Sequence, residues 1–91
     1  MHKIKGNTDD AIRIYKKKQL LYRNLDKAAC DSIDDLAKVI GRSRTSIYNA
    51  IDYLPYKSTT SRFCCWPTAQ AIGKALGWDE LDIKQWYNGN L

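Results

Sequence analysis

Residues 36–51 read LAKVIGRSRTSIYNAI, and the reading of this stretch decides the fold. Ile33, Leu36, Ala37 and Ile40 fall at i, i+3, i+4 and i+7, the apolar stripe of an amphipathic helix. Ser32 stands before them as N-cap, Asp35 completes an acidic form of the capping box, and Gly41 closes the helix with a residue that tolerates positive φ. Ser43 then caps a second helix over about 43–54, with Ile47, Ala50, Ile51 and Leu54 on its inner face, and Pro55 stops it. Arg44, Thr45, Tyr48, Asn49 and Asp52 occupy the outer face. Ala37 is small where the two helices must cross, Gly41 turns the chain, and Ile47 is a branched lock between them. That is the spacing of a helix-turn-helix.

Upstream, Ala11, Ile14, Tyr15, Leu21, Tyr22 and Leu25 share a helical face with Lys18 as the one interruption. The expected helix runs from about Asp9 to Leu25, capped by Thr8, behind a basic arm over residues 1–7 that carries Lys3 and Lys5. Lys16, Lys17 and Lys18 then read as its wet side, and residues 26–31 as a connection. Downstream, residues 55–66 (PYKSTTSRFCCW) are turn-rich and read as a loop. Pro67 suits the first position of a fourth helix, which buries Ala69, Ile72, Ala75 and Leu76 and ends at Gly77. Asp79 caps a fifth, with Asp82 at its third position and Trp78 and Ile83 spaced as a hydrophobic staple; Ile83, Trp86 and Tyr87 face the core and Gly89 ends it. No stretch alternates with period two. The expected architecture is all-α, a compact bundle of five short helices, with residues 8–91 forming a single helix-turn-helix domain.

The chain has 91 residues, 15 Lys and Arg and 10 Asp and Glu, so it is one domain with a formal net charge of +5. Residues 1–29 hold eight of the cations against three acids, a net of +5, whereas residues 67–91 hold two against three, a net of −1. Such asymmetry suits a patch that faces a polyanion. The longest unbroken apolar run is Phe63–Trp66, too short for a membrane span, and the first residues have no apolar stretch for a secretory signal. Three cysteines, Cys30, Cys64 and Cys65, make an odd set that reads as reduced thiols in a cytoplasmic protein. Zinc needs four ligands and the single histidine is His2, so no metal is expected; no other cofactor or small-molecule ligand is indicated. With no internal histidine, no glycine-rich phosphate loop and no nucleophile–base set, the chain is not expected to be an enzyme.

The outer face of the second helix of the motif is suited to a major groove. Asn49 matches adenine bidentately, Thr45 a thymine methyl, and Arg44 either guanine or phosphate. Tyr48 serves a sugar or thymine, or else covers the core. Lys57 and Arg62, in the Ser- and Thr-rich loop, either clamp the DNA backbone or stand in solvent.

The motif resembles the helix-turn-helix of phage repressors and Cro-like regulators, the lambda-repressor-like group. The likeness continues through WPTAQAIGKALGWDEL, and the spacing of NAI, WP and AIGKAL resembles the Ner-like phage regulators. It covers roughly residues 32–88 and implies a cytoplasmic transcriptional regulator of phage or prophage origin whose partner is double-stranded DNA. Carried over by position, Ser43, Arg44, Thr45, Tyr48 and Asn49 fall on the groove-facing part of the recognition helix, while Arg42 and Lys38 meet phosphate. The chain departs from the pattern where Asp34 and Asp35 stand near a family phosphate contact, and in a longer loop before Trp66. A homodimer on DNA is one expectation and a monomer another, with the outer parts of Trp86 and Tyr87 the expected contact surface. Two other readings share these features: a recombination, transposition or antitoxin component of the same fold, and a helical adaptor that binds an acidic protein.

Overall fold

In the computed structural model, which describes residues 4–55 and 65–90, five α-helices follow one another: α1 (Ile4–Arg23), α2 (Ile33–Ile40), α3 (Arg44–Asp52), α4 (Trp66–Ala75) and α5 (Glu80–Asn88). A single 3-10 turn, Leu25–Ala28, follows α1, and no strand occurs among the described residues. Local chemistry accounts for most of the boundaries. Ser32 Oγ accepts from the Asp35 N–H at 3.3 Å, Ser43 Oγ from the Ser46 N–H at 3.1 Å, and Asp79 Oδ1 from the Asp82 N–H at 2.8 Å. Each satisfies one of the orphan donors of a first helical turn. The carboxylate of Asp35 accepts from the Asp31 N–H, one residue upstream of the expected return bond. Gly41 ends α2 at φ +70 and Gly89 ends α5 at φ +76, left-handed positions that cost glycine nothing.

The core gathers Leu21, Leu36, Ile47, Ile51, Ile72, Leu76 and Trp86, all essentially inaccessible. α3 packs on α4, α4 on α5, and α2 on both α3 and α4, while α1 lies against α3. Trp86 is the largest buried side chain; Trp78 packs against it with ring centroids 5.7 Å apart, and Trp66 meets Tyr87 edge-on at 5.0 Å. Burial of Trp86 and Tyr87 removes them as a surface for a second copy, correcting the expectation from the sequence.

The first helix departs most from expectation. It begins at Ile4, so Thr8 is no cap and residues 4–7 belong to the helix rather than to an arm; residues 1–3 lie outside the described part. Its inner face is also rotated. Ala11, Tyr15 and Tyr22 are exposed, while Leu21, Leu25 and the half-buried Ile14 face the core as expected, joined unexpectedly by Lys17. Lys17 is fully buried. Its ammonium donates to the carbonyls of Ala50 (2.8 Å), Tyr53 (2.7 Å) and Tyr87 (3.1 Å), near the C-terminal ends of α3 and α5. Those ends carry the unpaired carbonyls and partial negative charge that a cation satisfies. The Trp86 indole N–H donates to the Lys17 carbonyl at 2.8 Å, and the ammonium lies 4.8 Å from that ring. Removal from water lowers the Lys17 pKa from 10.5 to about 8, against the opposing pull of Cys65 and Asp52.

α4 starts at Trp66, which moves Pro67 one place inward from the expected first position; Pro is still tolerated in the first turn. Cys30 and Cys65 are buried, and burial together with Asp35 and Asp31 pushes the Cys30 thiol up. Cys64 lies outside the described residues.

Candidate nucleic-acid interface

The turn between α2 and α3 is three residues long, and its backbone is fixed before any side chain is considered. The N–H groups of Gly41 and Arg42 both bond to the Ala37 carbonyl, Arg42 at 3.0 Å. Ser43 then starts α3, so the chain turns within Gly41–Ser43, and the Arg44 side chain reaches back to Asp34 in the first turn of α2. Ile47, Ala50 and Ile51 anchor the inner face of α3 and Leu54 follows them into the core.

That anchoring leaves the outward side chains set on a rigid element. Arg44, Thr45 and Asn49 are exposed and Tyr48 is 37% exposed; Ser43 is exposed and engaged as the cap. Lys38 and Arg42 are exposed next to them. A shallow hollow of about 640 Å³ lies between Lys38, Gly41, Arg42, Ser43 and Arg44, with Asp34 its one acid. Three cations against one carboxylate make it a place for an anion to approach. Lys57 and Arg62 lie outside the described residues.

Asp34 does more than dilute the charge. Its Oδ1 accepts from Arg44 Nη1 at 3.0 Å, an ion pair between α2 and α3 with both side chains about 60% exposed. A carboxylate in the first turn of α2 thus holds the first side chain of α3. Because the pair engages one N–H of five on the guanidinium, the others stay available.

A second cleft, of about 370 Å³, opens on the other side of the same pair and is lined by Tyr22, Ser32, Asp34, Arg44 and Tyr48. Tyr22 comes from α1 and lines this cleft with Tyr48; partial burial and the neighbouring Tyr48 hydroxyl raise the Tyr22 pKa. The sequence pointed Tyr22 inward, yet it is 43% exposed and joins the outer surface of α3. The signal was available in Lys18, one helical turn earlier on the same face and exposed. Among the described residues no cluster of His, Cys, Asp and Glu could hold a metal, and no helix is long and apolar enough to cross a membrane. The chain matches no family model, no curated protein and no solved structure.

Proposed function

We propose that this protein is a sequence-specific reader of double-stranded DNA, a transcriptional regulator of phage or prophage type that acts by occupying a promoter. The observation that carries this reading is the outer face of α3, where Arg44, Thr45, Tyr48 and Asn49 stand together in solvent beside Lys38 and Arg42. A major groove is wide enough for one α-helix, and base edges there offer the acceptors and donors these side chains match.

The roles divide by chemistry. Lys38 and Arg42 neutralise phosphates and set the register; Asn49 pairs with adenine and Thr45 meets a thymine methyl. Arg44 must exchange or share Asp34. An exposed ion pair is worth about 0–1 kcal/mol, whereas a bidentate arginine–guanine pair discriminates by about 1–3 kcal/mol, so the base wins the competition. Repression follows from exclusion of polymerase at the occupied site.

Selection from a random duplex library at physiological salt tests the reading, with Asn49→Ala as the informative variant. One enriched motif is expected, and Asn49→Ala should lose preference at one position by about 1–3 kcal/mol while weak general binding persists. A folded protein that enriches nothing leaves the acidic-protein adaptor as the better account. Enriched sites at recombination ends instead of promoters would make it a recombination factor. Paired half-sites about one helical turn apart would report a dimer on DNA and a single half-site a monomer.

A further inference from the structure

The exposed face of α1 continues the surface of α3 without a break. Tyr22 on α1 and Tyr48 on α3 line one cleft, and the Lys18 ammonium sits 5.9 Å from the centre of the Tyr22 ring. One turn further back the Tyr15 hydroxyl accepts from Gln19 Nε2 at 3.1 Å. Tyr15 is 59% exposed and Tyr22 43%, large rings that a small domain would rather cover. Exposed Lys16, Lys18 and Arg23 flank them, while the acids of α1, the exposed Asp9 and the half-buried Asp10, lie towards its other end.

Resting on the DNA reading above, we infer that Lys18 and Tyr22 form a backbone-contacting shelf on α1, across which a strand of the duplex runs when α3 occupies the major groove. The assignment to a phosphodiester strand follows from continuity: the shelf adjoins Tyr48 on α3 and the cleft it shares with Arg44. An ammonium and a phenol are donors for phosphate oxygens, and neither reads sequence there. In the free protein the ammonium rests over the Tyr22 ring, an arrangement that places its charge at the edge of α3 before DNA arrives. The same contact steadies the Tyr22 ring beside Tyr48. The shelf therefore adds affinity next to a groove-facing side chain.

The test uses Lys18→Gln and Tyr22→Phe, conservative changes at exposed positions whose retained helicity is checked by circular dichroism. Each is titrated, with wild type and Asn49→Ala, against a duplex carrying the enriched sequence and a scrambled duplex across a range of salt. Lys18→Gln should weaken both duplexes alike, on the order of threefold to tenfold, and reduce the slope of log K against log salt by about 0.9. Tyr22→Phe should weaken binding by a smaller factor with the slope unchanged, because it removes a neutral donor. If both variants bind as wild type does while Asn49→Ala loses its sequence preference, the shelf is wrong and the DNA reading stands. If wild type selects no sequence and binds the scrambled duplex no better than a neutral surface would, both fall. A Lys18→Gln effect confined to the enriched duplex would also overturn the inference, since a backbone contact cannot discriminate.

Discussion

Lys17 puts an ammonium where the helical period calls for an apolar side chain, and the physical account is in its partners. Three carbonyls from three places in the chain accept from it, Ala50, Tyr53 and Tyr87. Each lies at or just beyond a helix end, where the backbone has no further donor of its own. Lys17→Met keeps most of the apolar side chain and takes the ammonium donor from all three carbonyls, each at a cost of about 1–3 kcal/mol. Part of that loss is returned because no charge is buried any longer. The net expectation is destabilisation by about 2 kcal/mol or more, read by urea denaturation. The pH dependence carries its own sign. With the folded pKa near 8 and the unfolded value at 10.5, the unfolded chain binds more protons between them, so the contribution of Lys17 to stability rises with pH through that window. The stability gap between wild type and Lys17→Met should therefore widen from pH 8 to 10.5. A gap that narrows would mean that the carbonyls outweigh the loss of water and hold the pKa above its ordinary value.

Among the elements, α4 and α5 make the closest approach. A Cβ at Gly73 would overlap the side chain of Ile83, so the two helices touch through a position with no room for a methyl group. Gly73→Ala should lower stability by about 1–3 kcal/mol despite the better helix propensity of alanine, and Ile83→Val in the same chain should recover part of it in thermal melts. The helices differ in how much of them the sequence revealed. α2, α3 and α5 were legible because their ends are written in local chemistry: Ser32, Ser43 and Asp79 cap them, and Gly41 and Gly89 close α2 and α5. α1 lacks such punctuation. Thr8 resembled a cap but lies inside the helix, and hydrophobic periodicity counted Lys17 as polar and therefore outward. Once that residue is turned inward the face rotates and carries Tyr15 and Tyr22 out into solvent. The candidate site follows the same division. The exposure of Lys38, Arg42, Arg44, Thr45 and Asn49 could be read from the period of two helices. The Asp34–Arg44 pair and the cleft that Tyr22 shares with Tyr48 join separate elements and needed the fold.

For the whole molecule, the charge count overstates what a polyanion meets. Residues 1–29 hold eight cations, but Lys17 is internal and Arg13 donates to the Gly89 carbonyl at 3.1 Å. On the proposed reading, the field offered to DNA rests on Lys18, Lys38, Arg42 and Arg44, with Asp34 against it. Three phosphate contacts, from Lys18, Lys38 and Arg42, correspond to a slope of log K against log salt of about −2.7. Titrations of a scrambled duplex between low and moderate salt should show that dependence; a flat response would remove DNA as the partner. The Lys17 joint has one more consequence for a molecule of this kind. All three of its acceptors are main-chain atoms, so the joint that holds α3 to α1 and α5 is blind to the side chains α3 carries. Evolution can rewrite Arg44, Thr45, Tyr48 and Asn49 without disturbing the mount, which makes the recognition helix an exchangeable part on a fixed fitting.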